Sequence, residues 1–193
     1  MSTCSVLAAG LDASNGCDQP IGGTASDVIL MNYDDINRTL LVKASGAITD
    51  LVLKSTKVAY KFETTEDANT GSFTFAKGRF FGMYDHSVVM RDFVGNKAAH
   101  VFLDSLKGAR VVAIVENKHR GTNGESKYKI YGLDAGLILT GDTGTTELTD
   151  GIIGEITLAS SEMSKEPSRP ICLYDTSEAT TDAIIAALLV PAT

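Results

Sequence analysis

The chain has no tryptophan, only four prolines among 193 residues, and three cysteines. It also lacks any apolar run of the roughly 18 residues that a membrane-spanning helix requires. Cys4, Cys17 and Cys172 are odd in number and show no Cys-x-x-Cys spacing. That suits free thiols in a reducing compartment better than a disulfide framework. Basic residues are short as well: 17 Lys and Arg against 24 Asp and Glu give a formal charge of −7. A surface that grips nucleic acid is therefore not expected, because phosphate binding needs clustered bases. An acidic wall has the opposite use, since it repels a phosphate backbone and lets it slide. The opening MSTCSVLAAGLDASNG has no basic n-region, so it makes a poor signal peptide and cytoplasmic synthesis is expected.

What is present belongs to a globular protein. Hydrophobic residues make up 44% and charged ones 21%, and the length suits one domain with arms. Eighteen glycines promise many turns. One stretch, Ser72–Asn117, switches its hydrophobic period from two to 3.6 and back, which reads as strand, strand, one helix, strand.

Residues 1–26 carry Gly10, Gly16, Gly22, Gly23 and Pro20 and little that sustains a core, so they read as an N-terminal arm or a loose tail. A β domain is expected over 27–176. DVILMNYDD from Asp27 is a strand, and Ser45-Gly46 breaks the next run as a tight hairpin would. Val58, Tyr60 and Phe62 alternate with Lys57, Lys61 and Glu63, predicting a half-buried strand. Phe73 and Phe75 mark another, and Arg79–Phe93 a longer one with a bend at Gly82. Asn96 caps an expected helix, 96–107, ended by Gly108. Its apolar stripe is expected at Ala98, Val101, Phe102 and Leu106.

Arg110–Glu116 is a central apolar strand, and Glu116–Tyr131 a long polar hairpin. Leu137–Leu139 and Ile152–Leu158 are strands separated by the flexible GDTGTTELTDG, and Ile171–Tyr174 follows a polar loop from Glu162 to Pro170. Residues 177–193 form a short C-terminal helix, or an arm that packs on a neighbour, with Ser177 as N-cap. The fold class expected is mainly β: an antiparallel β-sandwich or barrel with one packed α-helix.

Chemistry-bearing patterns are sparse. His86, His100 and His119 are scattered without metal-site spacing and read as surface histidines. Asp34-Asp35 and Glu66-Asp67 are adjacent acids, which extended chain points to opposite sides. Gly141-Asp142-Thr143-Gly144 contains the Asp-Thr-Gly of aspartic proteases, but a glycine-rich turn explains it more simply. No catalytic, cofactor-binding or metal-binding residue is assigned, and no enzyme activity is expected. A mainly-β domain with open strand edges must cap them or pair them with other chains, so association is the favoured theme.

The opening Cys17-Asp18-Gln19-Pro20-Ile21-Gly22-Gly23, with Asp27–Ile36 after it, resembles virion proteins of phages and prophages of Bacteroidetes bacteria. So does the progression from RVVAIVENK through KYKIYGLDAGL to GIIGEITLASSEMSKEP. The strand–helix–strand centre in a β-sandwich is similar to the tail-tube fold of long-tailed phages, and the resemblance covers most of the chain. It implies a structural virion protein of the phage tail: a self-assembling tail-tube subunit in hexameric rings, stacked through arms and a long hairpin. The partners it implies are further copies of the chain, other tail proteins, and double-stranded DNA that passes through an acidic channel without specific binding. It implies no membrane and no cofactor. The alternatives are a ring or connector protein of the portal-tail junction, or a head decoration protein. A β-barrel ligand-binding module or a small hydrolase would need a cavity with convergent polar groups.

Overall fold

The computed structural model describes residues 22–77, 82–144, 151 and 154–191. Two strands organise it: β1 (Thr24–Asn32) and β7 (Val111–Asn117) pair antiparallel, with Ile29 opposite Ile114 and Met31 opposite Val112. Both are buried on both faces, which is why DVILM and VVAIV read as unbroken apolar runs instead of alternating ones.

On one face, Ile29, Met31, Val112 and Ile114 join a core with Ile36, Ile48, Leu51, Leu53 and Leu173. A C-terminal helix, α2 (Glu178–Leu188), closes that core with Ile185 and Leu188. On the other face, Val28, Leu30, Ala113 and Val115 meet a second sheet. That sheet runs β9 (Leu137–Gly144), β10 (Gly154–Ser160), β6 (Gly82–Asp92), β5 (Thr70–Lys77), and it contributes Val88, Met90, Ile156 and Leu158. The two sheets touch along the ladder only at Val111 and Leu137. On its other side the first sheet continues through β8 (Tyr128–Tyr131), β11 (Ile171–Leu173), β3 (Ala47–Asp50) and β2 (Val42–Ala44); β4 (Tyr60–Glu63) flanks β1.

The mainly-β sandwich is therefore borne out, with three differences. The 177–193 segment takes the helical of its two expected forms, and as α2 it adds a second helix, packed on its own chain's core. The sheet is mixed, because β11 and β3 run parallel. And Thr24–Ser26 of the expected 1–26 arm belong to β1; residues 1–21 lie outside the described residues, as do 79–81 of the Arg79–Phe93 segment.

Helix α1 (Lys97–Ser105) starts at the expected cap, where Asn96 Oδ1 accepts the Ala99 N–H at 2.9 Å. Its buried stripe is rotated by one position from the expected one. Ala99, Phe102, Leu103 and Leu106 face the core, leaving Val101 63% exposed. The i, i+3, i+4, i+7 set that includes Leu103 offers more apolar area than one ending in Ala98. In β4 the alternation fails as well: Tyr60 is half exposed and Ala59 is buried, because β4 is a four-residue strand with only β1 beside it. Gly141–Gly144, read as a turn, continues β9.

Candidate functional surface

The sheet β9-β10-β6-β5 carries the features least explained by folding alone. All three of its ladders are antiparallel. Among the described residues, β5 has no partner on its outer side at one end, and at the other β9 beyond Leu137 pairs only with β10. Both open strands are eight residues long. Edges are ordinarily blunted by proline, inward-pointing charge or short length. Neither strand contains proline; β5 has a single lysine, at its very end, while β9 carries Asp142 opposite Ile156 and one extra residue, Thr140, against β10.

The face of this sheet turned away from the core is rich in hydroxyls. Ser72, Ser87, Ala159 and Ile138 form one cross-strand row, Thr70, Val89 and Thr157 the next, then Arg91, Glu155 and Thr143. Neither core cluster draws a residue from that face. Its acids are paired: Glu155 with Arg91 at 3.0 Å, and Asp85 with Lys165.

On the inward face, where β5 and β6 outrun the first sheet, an aromatic group stands uncovered. Phe73 and Phe75 are 42% and 57% exposed, and both set their rings edge-on to Tyr84, at 6.1 and 5.4 Å. Phe75 also lies over Gly82, where any Cβ would meet the ring at 2.5 Å. The Arg169 guanidinium sits 5.7 Å from the Phe73 ring.

Below that group lies a buried polar node. His86, read as a surface histidine, is 2% exposed, because its β6 position shares the inner face with Val88 and Met90. The Gly132 N–H donates to its Nδ1 at 3.2 Å, so the other nitrogen holds the proton and Nε2–H donates to the Ser168 carbonyl at 3.0 Å. Burial holds the imidazole below its ordinary titration range. Glu166, in the expected polar loop, is 1% exposed. Its carboxylate accepts the N–H groups of Ala135 at 2.7 Å and Asp134 at 3.0 Å. Burial pushes that carboxyl up, and the amide donors oppose the shift.

A second node ties α2 down. The buried ammonium of Lys127 reaches both oxygens of Asp182, at 2.7 and 3.0 Å, and Glu178 at 3.0 Å. Burial alone would lower this lysine, but its carboxylate partners outweigh burial and hold it above its ordinary value. Tyr128 donates to Asp182 as well, at 2.8 Å. The Glu116–Tyr131 hairpin, expected to reach out to neighbours, is instead folded back. Lys118 pairs with Glu66 and Asp67, and Arg120 with Glu178.

The other residues singled out in the sequence do not converge. His100 is exposed on α1, and His119 lies in the β7–β8 loop. Asp34-Asp35 fall in a single 3-10 turn, Tyr33–Asp35. Cys172 is half-buried with its thiol pushed up by burial, the reverse of an activated nucleophile; Cys4 and Cys17 lie outside the described residues. A cleft of about 430 Å³ between β4 and α1 holds Phe62, Phe93 and Phe102. Its charged groups are engaged elsewhere: Arg91 with Glu155 and the Ala68 carbonyl, and Asp92 with the Val94 and Gly95 N–H groups. Among the described residues no three His, Cys, Asp or Glu are grouped to hold a metal ion, and no helix is long and apolar enough to cross a membrane.

No signal in the sequence separates His86 and Glu166 from surface residues. Both sit in polar surroundings, DHS and KEP; His86 is carried inward by its phase with Val88 and Met90, and Glu166 by its pairing with Tyr84. No family model, no curated protein and no solved structure matches the chain.

Proposed function

We propose that this protein is a virion structural subunit that builds a phage tail tube by closing its outer sheet with the sheets of identical neighbours. The observation that carries the reading is the pair of free edges on one four-stranded sheet. Strand direction alternates across β9-β10-β6-β5, so β5 and β9 run opposite ways. A copy rotated about an axis along the strands offers its β9 antiparallel to β5. Repeating that contact closes a ring, because the interface joins two different surfaces of the same subunit. Closure also removes both edges.

The bare face suits a channel lining. It presents serine and threonine hydroxyls, and its acids Asp85 and Glu155 are already neutralised by Lys165 and Arg91. With the chain at −7 overall, such a wall gives a phosphate backbone nothing to hold. The localisation that follows is the virion tail, and the partners are further copies and other tail proteins.

Electron microscopy of the purified protein tests this. Stacked rings with a channel of roughly 40 Å, wide enough for duplex DNA, are expected. Rings that never stack point to the connector alternative, and a monomer at millimolar concentration overturns the tube. Deleting residues 1–21, which leaves β1 whole, is expected to abolish stacking while the sandwich stays folded; normal tubes from the shortened chain would remove the arm from the proposal.

A further inference from the structure

The side chains of His86 and Glu166 spend every hydrogen bond they make on the backbone of two connections. His86 joins Gly132, at the start of the turn leading into β9, to Ser168, in the connection between β10 and β11. Glu166 holds the same turn through Asp134 and Ala135. Its own backbone pairs with Tyr84 of β6 in both directions, at 2.8 and 2.9 Å. Thus β6, the 132–136 turn and the 161–170 segment are fastened at one point, and the segment covers the β6 edge where β10 stops at Ser160.

The fastening works only with a neutral imidazole. A protonated His86 carries N–H on both nitrogens, so Nδ1–H would confront the Gly132 N–H with no acceptor between them. Charged and titratable groups surround the ring. Asp85, its neighbour on β6, points to the other face of the sheet and acts only through its charge; Asp134 stands on the turn, and Tyr131 of β8 sets its ring 5.7 Å away. From the segment come Glu166, Lys165, which is bound to Asp85, and Arg169, which lies over Phe73. The Ser168 carbonyl and, after it, the two aspartates favour the imidazolium, but burial outweighs them.

We propose that this node is an acid-released latch: protonating His86 frees residues 161–170, uncovers the β6 edge at Tyr84 and lifts Arg169 off Phe73. The latch stands on the monomer's own geometry and does not depend on the tube. Its expected reach follows from linkage. Below the ordinary histidine value of 6.5, each pH unit multiplies the open population up to about tenfold, until the lower closed-state value is passed.

Amide hydrogen exchange by NMR, corrected for intrinsic rates, tests it between about pH 7.5 and pH 5. Tyr84, Gly132, Ala135 and Glu166 should open up to about thirtyfold more often at the lower pH, and at both pH values far more often than Val112 and Ala113 of β7. In His86→Gln, which does not titrate, the acid response should vanish. Equal corrected rates at both pH values, or an acid response that survives in His86→Gln, overturns the latch. Should that variant fail to fold, the wild-type ring nitrogens decide the matter. An Nδ1 that is unprotonated at neutral pH, in a ring titrating below the ordinary value, supports the latch; a His86 titrating at 6.5 or above refutes it.

Discussion

Gly71 shows how closely the two sheets approach. A Cβ built there would lie 2.5 Å from the ring of Tyr131, which is 3% exposed and cannot swing aside. Gly71→Ala should therefore cost about 1–3 kcal/mol in urea unfolding, as overpacking does. Gly82 looks similar on paper, with the Phe75 ring also at 2.5 Å. That ring is 57% exposed and free to rotate away, so Gly82→Ala should shift stability by only about 0.5 kcal/mol. If both cost the same, ring mobility is not what separates them. Titration at this scale has a definite sign. His86 is held below its ordinary 6.5, so the unfolded chain takes up that proton first and stability falls as pH drops below 6.5. For Asp182, burial works upward, but Lys127 and Tyr128 win and hold it below 3.8, so its contribution is lost only in stronger acid. Glu166 and Glu116 are raised above 4.5 by burial and act in the opposite direction.

At the scale of elements, α2 is held at its start by two devices. Ser177 and Thr180 form a reciprocal cap, and Lys127 binds Asp182 and Glu178 from the strand side. Lys127→Ala would leave Asp182 and the half-buried Glu116 without their nearest counter-charge, with only the exposed Arg120 still on Glu178, a loss of about 2–4 kcal/mol. Helical circular dichroism should fall and the urea midpoint should drop. An unchanged midpoint would mean that the apolar contacts of Ile185 and Leu188 hold the helix alone. The cap of α2 was visible in the sequence, as were Asn96, the Ser45-Gly46 hairpin (φ of 52° and 82°) and the doubly buried runs of β1 and β7. All of these are local signals: a polar side chain three residues before its target, a left-handed pair, an unbroken apolar stretch. What was hidden depends on distant chain. Val101 looks like core until Leu103 is seen to take its place. His86 looks solvent-facing until the 161–170 segment closes over it. Lys127 is indistinguishable from any lysine until α2 brings two acids to it from some fifty residues away.

Over the whole molecule, the question is why a stable sandwich leaves an aromatic group and two long strand edges open. Phe73 and Phe75 contribute little to the monomer's interior, being about half exposed, yet aromatic side chains are the usual anchors of protein interfaces. They stand on β5, the strand that a neighbour's β9 would extend, and on the face where that neighbour's inner residues would arrive. In the double variant Phe73→Ser with Phe75→Ser, the monomer should keep its circular dichroism, with its urea midpoint lowered by no more than the equivalent of about 1 kcal/mol. Assembly, followed by sedimentation, should weaken at least about a hundredfold, the order that losing two interface anchors of over 1 kcal/mol each produces. The contrasting substitution is Val101→Ser, 63% exposed on α1 and on neither edge strand; it should leave assembly untouched. Should Val101→Ser block assembly while the phenylalanine pair does not, the subunits meet through α1 and not through the ladder. Only edge-to-edge closure makes β5 the sensitive strand, so this pair of variants tests the geometry of the ring and not merely its existence.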